Sequence, residues 1–272
     1  MIQLTIDGRT THAPEGATIL QACNAQGIDT PTLCHLKTLT PVNACRLCVV
    51  ELEGARTLAP ACSRKVETGM VVHTNTDRVR HSRKLVLELL GSSVDLSLAS
   101  DLKRYMRDYG AEPERLAGAT VAQPVRVDND LYVRDYSRCV LCYKCVEACG
   151  TDAQNTFAIA VAGRGFDAHI STESDCPLPD SACVYCGNCI GVCPTGALMF
   201  KSEHDMRQAG TWNEAKQTVT DTICPYCGVG CTLQLHVQEN DIVRVTSPLD
   251  HDVTNGHLCI KGRFGWQFVQ NR

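Results

Sequence analysis

Sixteen of the eighteen cysteines in this 272-residue chain fall into four sets of four, and no other feature constrains the fold as much. The first set is Cys34, Cys45, Cys48 and Cys62. The second is Cys139, Cys142, Cys145 and Cys149, spaced C-x2-C-x2-C-x3-C. The third, Cys183, Cys186, Cys189 and Cys193, repeats that spacing and is followed by Pro194. The fourth is Cys224, Cys227, Cys231 and the remote Cys259. Four thiolates are the protein-side coordination of an iron–sulfur cluster. The chain therefore reads as a series of four redox centres, which can move electrons without a substrate site of its own.

Aromatic residues make up only 5% of the chain, so apolar cores should be thin. Metal can stand in for part of a core, because a site absent from the unfolded chain contributes its binding energy to folding. The other use of so much cysteine is a secreted disulfide framework. The N-terminus opposes it. Met1-Ile2-Gln3-Leu4-Thr5-Ile6-Asp7-Gly8 carries no basic flank, apolar h-region or twin-arginine pair. No export signal is expected, and a cytoplasmic location is. Spacing opposes it too: Cys45, Cys139, Cys142, Cys183, Cys186 and Cys224 each have another cysteine three places on, the rhythm of metal sites. No run reaches the roughly 18 apolar residues of a membrane helix, so membrane insertion is not expected. The formal charge of −4 grows more negative once thiolate-bound clusters are counted. No nucleic-acid signature accompanies it.

The pattern divides an α+β chain into small iron–sulfur modules in series. In residues 1–77, Ile2, Leu4 and Ile6 alternate with polar residues, and Asp7-Gly8 forms a turn. A second strand runs near Thr10 to Ala13 and is broken at Pro14-Glu15-Gly16. Thr18 caps a helix from Ile19 to Ala25 that Gly27 ends. Leu47 to Leu52 and Met70 to His73 are further strands. Hairpin, helix and cysteine loop follow one another in the order of a ferredoxin-type β-grasp domain. Residues 78–120 are a helical linker. Leu85, Leu89 and Leu90 give one stripe, Gly91-Ser92-Ser93 is a break, and a second helix covers Ser100 to Tyr109. Arg78, Arg80, Arg83 and Lys84 around the first helix read as a solvated face rather than a docking site for an acidic partner. Residues 121–215 hold the repeated quartets, with a hairpin around Gly163-Arg164-Gly165. Residues 216–272 are a small β-rich module, with Asn240-Asp241 as the turn between two strands.

In the second and third sets, short loops let three thiolates reach three corners of a cube, and the fourth cysteine belongs to the other cube, as in two-cluster ferredoxins. Cys139, Cys142, Cys145 and Cys193 are thus expected to hold one [4Fe–4S] cluster, and Cys149, Cys183, Cys186 and Cys189 a second. A four-cysteine zinc site is the alternative, and two identical triple-cysteine loops argue against it. Cys34, Cys45, Cys48 and Cys62 lack the plant-type spacing. The elements before them favour [2Fe–2S], with zinc as the alternative. His35 has no second histidine at matching spacing for a Rieske centre and is taken as structural or solvent-facing. Cys224, Cys227, Cys231 and Cys259 close the last module around a third [4Fe–4S] cluster, with Gly228 and Gly230 letting the backbone approach. Cys23 is expected to be a buried small hydrophobe, and Cys176 a spare thiol.

The order of these sets, Arg164-Gly165-Phe166-Asp167, Cys224-Pro225-Tyr226-Cys227-Gly228-Val229-Gly230-Cys231 and Gly256-His257-Leu258-Cys259-Ile260-Lys261-Gly262-Arg263 together resemble the N-terminal region of the catalytic α subunit of cytoplasmic NAD-linked formate dehydrogenases. The resemblance covers nearly the whole chain. It implies that the last cluster sits nearest a bis-pterin molybdenum or tungsten centre. Lys261 would lie between that cluster and the pterin, and Arg263 at the interface with it. The other clusters would lead toward a partner that binds FMN and NAD, or toward a ferredoxin. Two departures stand out. The family's further cluster, bound by one histidine and three cysteines, has no counterpart in Gly91-Ser92-Ser93-Val94-Asp95-Leu96-Ser97-Leu98-Ala99-Ser100-Asp101, so that site is expected to be absent. The large pterin-binding body, with its active-site residue, is also not expected on this chain.

The leading expectation is an iron–sulfur electron-transfer subunit of a formate dehydrogenase or CO2 reductase complex. It would dock through residues 216–272 onto a molybdopterin or tungstopterin catalytic subunit and carry no substrate active site itself. The alternative is the corresponding subunit of a diaphorase-linked hydrogenase or complex I-like NADH dehydrogenase. The third reading is a redox sensor or cluster scaffold, for which no output segment is visible.

Overall fold

The computed structural model describes residues 1–118, 120 and 123–270. The expected module limits at 121 and 272 lie outside the described residues. The chain is mixed α/β with small sheets and forms two compact units, Met1–His35 with Pro41–Thr120, and Leu36–Thr40 with Val121–Arg272.

The first unit is built on a hairpin of β1 (Ile2–Ile6) and β2 (Arg9–Ala13), in register from Ile2 opposite Ala13 to Ile6 opposite Arg9. The turn needs positive φ, and Asp7 and Gly8 supply it (48° and 79°). The period of two puts Leu4 and Ile6 in the core. Helix α1 (Ile19–Ala25) begins at Thr18, whose hydroxyl accepts from the Gln21 N–H, while the Gln21 side chain accepts from the Thr18 N–H. This reciprocal cap satisfies two donors that helix geometry leaves unpaired. The helix buries Ile19, Leu20, Ala22 and Cys23 against Leu4, Ile6, Val50 and Val72. Strands β3 (Val49–Leu52), β4 (Ala59–Pro60) and β5 (Val71–His73) complete a sheet ordered β2-β1-β5-β3-β4, with β1 and β5 parallel. Pro60 stands on the edge strand, where its missing N–H is tolerated.

Helix α2 (Asp77–Ser93) runs through Gly91-Ser92-Ser93 instead of breaking there. Gly91 is a packing residue: a Cβ on it would lie 2.6 Å from Pro113 Cγ and 2.7 Å from Met106 Cε. Ser92 and Ser93 turn their hydroxyls back to the Leu89 carbonyl, at 3.0 and 2.7 Å. The buried face is also not the leucine stripe. Leu89 is 57% exposed, whereas Val79, Arg83 and Leu87 are buried. Arg83 is a core residue here, donating to Tyr109 Oη at 2.7 Å and to the Val49 carbonyl at 2.9 Å. Helix α3 (Ser100–Tyr109) ends on Gly110 in the left-handed region.

In the second unit, β6 (Tyr132–Arg134) precedes the first quartet and pairs antiparallel with β9 (Leu198–Phe200), which follows the second. Between them lie α4 (Lys144–Cys149), the hairpin β7 (Ala160–Ala162) and β8 (His169–Ser171), and α5 (Asn188–Gly191). Gly163 is required in that hairpin, since a Cβ would sit 2.4 Å from the Asp167 carbonyl oxygen. After α6 (Lys201–Gln208) come β10 (Thr218–Ile223), β11 (Thr232–Gln238) and β12 (Asp241–Thr246), an antiparallel sheet, and then α7 (Ile260–Phe264). The turn between β11 and β12 is Glu239-Asn240, both at positive φ (53° and 71°), with Gln238 opposite Asp241. That is one residue earlier than the sequence suggested, because the side chains at both central positions must accept the left-handed conformation. Among the described residues no helix is long and apolar enough to cross a membrane.

Thr18→Ala removes one half of the reciprocal cap and should cost about 1 kcal/mol, read as a lower thermal midpoint of the intact protein. An unchanged midpoint would show that the cap contributes nothing.

Candidate metal centres

The two repeated loops are alike in backbone as well as spacing. Leu141 and Tyr185, each two residues after the first cysteine, have φ of 49° and 56°. Tyr143 and Gly187, one residue after the second cysteine, have φ of 66° and 70° and cap α4 and α5. Left-handed backbone at a bulky residue is costly, on the order of 1–3 kcal/mol. Here it turns each loop inward around its own thiols. The Leu141 N–H donates to Cys139 Sγ and the Tyr185 N–H to Cys183 Sγ, both at 3.4 Å. The third cysteine then falls in the first turn of a short helix, and Cys149 closes α4.

These turns bring the fourth cysteine of each loop to the cavity lined by the other loop's first three. One cavity is lined by Cys139, Cys142, Cys145 and Cys193, with Tyr143, Ile170 and Thr195. Another is lined by Cys149, Cys183, Cys186 and Cys189, with Tyr132, Arg134 and Gln154. Tyr136 and Leu198 line both. The electrostatics follow the same grouping. Burial pushes the Cys139 thiol up to about 12, with Cys193 and then Cys142 adding to it. Cys145 is pushed well up by burial, with Cys193 and Cys142 the largest charged neighbours. Cys189 is likewise raised by burial, then by Cys186, Cys183 and Cys149. Burial raises Cys186, and Arg263 partly offsets this. Among the described residues no three His, Cys, Asp or Glu side chains are placed to hold a single metal ion. Each cavity presents four thiols from two loops, the number an iron–sulfur cluster takes as ligands. The donor set fits a cluster, and cluster binding must displace the thiol protons.

Further donors point at these sulfurs. The Tyr132 hydroxyl lies 3.0 Å from Cys183 Sγ, and the Ala158 N–H donates to Cys149 Sγ at 3.2 Å. Gly187 is pressed from outside: a Cβ on it would meet Phe264 at 3.0 Å and Arg263 Cγ at 3.1 Å. Leu39 packs on Ala148 and Val192 behind the loops, and Thr40 is held to Asp152 by two hydrogen bonds of 2.6 and 2.9 Å.

In the first unit Cys34, Cys48 and Cys62 are buried and Cys45 is half-buried. A hydrogen bond from Cys45 holds the Cys34 thiol down at about 6 and pushes Cys45 up. The same exchange between Cys62 and Cys48 brings Cys48 down to about 7 and raises Cys62, which also feels Cys34 and Cys45. The four thiols therefore stand together. Arg46 (φ 56°) bends the chain so that the Leu47 N–H reaches Cys45 Sγ at 3.5 Å. Asn43 accepts from Cys62 Sγ at 3.2 Å and from the Ser63 hydroxyl at 2.7 Å.

In the last module the Cys224 N–H bonds the Cys231 carbonyl at 2.8 Å and closes the loop that carries Cys227. Burial raises Cys231, followed by Cys224, Cys227 and the distant Cys259, whose charge thus reaches this loop. Cys227 and Cys259 are exposed. Lys261 is exposed on α7, two residues past Cys259. Arg263, expected at a docking face, is instead 1% exposed and turned into its own unit. The helical phase of α7 places Gly262, Arg263 and Phe264 inward. Cys23 is fully buried on α1, raised by burial, and Cys176 is half-buried. Tyr132, Arg134, Tyr136 and Asn188 were not foreseen from sequence. Only Asn188, between two cysteines, sat where a motif pointed.

Residues 1–77 match the 2Fe-2S iron-sulfur cluster binding domain. Residues 130–199 match the ferredoxin-like domain of NADH-quinone oxidoreductase subunit 3, and residues 217–271 match the molybdopterin oxidoreductase Fe4S4 domain. All of the chain is 35% identical to 32% of an NADH-quinone oxidoreductase subunit of Rhizobium meliloti. It is 34% identical to 32% of NADPH-Fe(3+) oxidoreductase subunit alpha of Geobacter sulfurreducens. The chain thus spans about a third of the length of these relatives. A solved chain of an NAD+-reducing [NiFe]-hydrogenase in the H2-reduced state is 25% identical, with a TM-score of 0.66 over 74% of this chain and 87% of that one.

Gly187→Ala forces a side chain into a left-handed position against Phe264. It should destabilise the second unit by at least about 1 kcal/mol, seen as a lower midpoint in thermal unfolding. A midpoint equal to wild type would contradict this packing.

Proposed function

We propose that this chain is the iron–sulfur electron-transfer part of an NAD(P)-linked oxidoreductase complex, of the kind that holds the NADH-quinone oxidoreductase subunits it resembles, related through its last module to the molybdopterin oxidoreductases. The observation that carries the reading is the pair of four-thiol cavities with exchanged fourth cysteines and a shared wall of Tyr136 and Leu198. Iron–sulfur clusters bound there and in the two other quartets would supply one-electron carriers.

The chain's own residues have defined tasks in this reading. Cys34, Cys45, Cys48 and Cys62 hold a [2Fe–2S] centre. Cys139, Cys142, Cys145 and Cys193 hold one [4Fe–4S] centre, and Cys149, Cys183, Cys186 and Cys189 hold its twin. Cys224, Cys227, Cys231 and Cys259 hold a third. Tyr136, Ile170 and Leu198, all buried, keep water from the twin centres. Exposed Cys227, Cys259 and Lys261 mark the face toward a partner. A flavin- and NAD(P)-binding subunit is the partner on the nicotinamide side. A pterin-type body is the partner beside Lys261.

The names of the relatives support a quinone-reductase or hydrogenase type of complex. Formate as the substrate of the complex rests on the sequence resemblance alone. Formate-dependent and NAD(P)H-dependent reduction of the clusters in the co-purified complex separates the two settings. Reduction by formate but not by NAD(P)H would overturn the NAD(P)-linked reading.

Anaerobically prepared protein should contain about fourteen iron atoms per chain, from one binuclear and three tetranuclear centres. Zinc without iron would refute the proposal. Cys193→Ser should perturb the EPR signal that Cys139→Ser perturbs, and Cys149→Ser the signal that Cys183→Ser perturbs. The opposite pairing would show that the quartets are not exchanged.

A further inference from the structure

The segment that carries the last cysteine of the fourth quartet lies on one of the two repeated loops, and two buried residues join them. Arg263 stands on α7 and Asn188 opens α5; they are 1% and 3% exposed. Each is tied by its backbone to a cysteine of its own neighbourhood. The Arg263 N–H donates to the Cys259 carbonyl at 3.0 Å. Burial raises the Cys186 thiol, and a hydrogen bond from the Asn188 N–H draws it back. Each is also tied across by its side chain. Arg263 Nε donates to the Cys186 carbonyl at 3.3 Å, and Arg263 Nη2 to Asn188 Oδ1 at 3.0 Å. Asn188 Oδ1 accepts a second bond, from the Leu258 N–H at 2.9 Å, one residue before Cys259. Arg263 Nη2 reaches back to the Gly256 carbonyl at 3.3 Å. Beside it Phe264 stacks on Tyr132, ring centres 6.2 Å apart, and presses on Gly187 of the same loop. Residues 256–264 are thus held to the Cys186 loop on both sides of Cys259.

Polar side chains buried this deeply are stable only where their hydrogen bonds are made. Outer partners of this kind also fix how ligand residues sit. Electron exchange between buried centres falls steeply with their separation, and hydrogen bonds carry it better than a gap does. We propose that Asn188 and Arg263 hold the centre of Cys224, Cys227, Cys231 and Cys259 at a short, fixed separation from the centre of Cys149, Cys183, Cys186 and Cys189, and that an electron passes between the two along the bridge from Cys259 through Arg263 to Cys186. In that step one centre loses one electron as the other gains it, with no proton or further reactant. Asn188 and Arg263 act through ligand residues, so both are positioning residues. The inference rests on the ligand sets proposed above.

EPR of the intact, cluster-loaded protein tests this. Cys183→Ser marks the signal of one centre and Cys227→Ser that of the other. In the fully reduced protein these two signals should broaden one another, because nearby paramagnets interact. Asn188→Leu keeps the volume and removes the shared acceptor; most of the mutual broadening should be lost at wild-type iron content. A role in packing alone would leave it in place. Asn188→Asp keeps an acceptor oxygen and should retain the broadening. In the co-purified complex, mixed with NAD(P)H and freeze-quenched, the signal marked by Cys227→Ser should appear later in Asn188→Leu than in wild type. The inference is overturned if the two wild-type signals do not interact, or if Asn188→Leu changes neither the broadening nor the time course. If Asn188→Leu does not hold its iron, Arg263→Lys, which keeps the charge and loses the planar fork, decides by the same two readouts. Iron content separates the levels of failure. Wild-type iron with unchanged signals sinks this inference alone, whereas an iron content of the wild-type protein far below about fourteen per chain sinks the ligand sets beneath it.

Discussion

Cys145 and Cys189 are buried thiols at the starts of two short helices, and the charge of Cys189 bears on Cys145 across the wall between two cavities. Around them six more cysteines are gathered closely enough for burial and neighbours to raise several of the thiols. Such a concentration of thiols in a low-dielectric interior is unfavourable for thiolates and gives little apolar packing in return. Metal reverses the balance. A cluster takes up the thiolates, releases their protons and turns its binding energy into folding energy. The exchange of Cys149 and Cys193 makes this energy common to both loops, because neither cavity is complete without a residue from the other half.

The same dependence explains strained backbone at Leu141, Tyr143 and Tyr185. Three bulky residues in the left-handed region persist only where their surroundings over-determine them. The short pairing of β6 with β9 frames the loops, and Tyr132, Ile170, Leu178 and Phe200 fill the space behind them. The first unit is different. Its five-stranded sheet and capped helix close on a core of Leu4, Ile6, Ile19 and Val72, and Cys48 and Cys62 are buried in that same core. There two cysteines of the quartet join an extended sheet-and-helix core, whereas in the second unit eight cysteines line the two cavities around which a smaller core packs.

What could be seen in the sequence was local. Alternation from Ile2 to Ile6, the Asp7-Gly8 turn, the Thr18 cap and the span Ser100–Tyr109 each depend on neighbouring residues, and each was legible. The grouping of Cys193 with the first loop and Cys149 with the second around two cavities was also legible, because the fourth cysteine of such a loop does not easily reach its own cube. Misreadings came where distant packing decides. Gly91 looks like a helix breaker until Met106 and Pro113 are brought against it. Leu85 and Leu89 make a plausible apolar stripe, but Arg83 takes the core position because Tyr109 and the Val49 carbonyl receive its guanidinium. Arg263 sits in a motif that suggests an outward face, and its burial depends on Asn188 and Cys186, more than seventy residues away. The pairing of Tyr132 with Cys183 likewise joins residues far apart in sequence, 51 positions from one another.

The central claim is that thiol quartets on this chain build one binuclear and three tetranuclear iron–sulfur centres. A Mössbauer spectrum of anaerobic protein loaded with isotopically enriched iron tests it most directly. About one-seventh of the iron should give the signature of a [2Fe–2S] centre and about six-sevenths that of [4Fe–4S] centres. A spectrum dominated by mononuclear tetrathiolate iron would contradict the account.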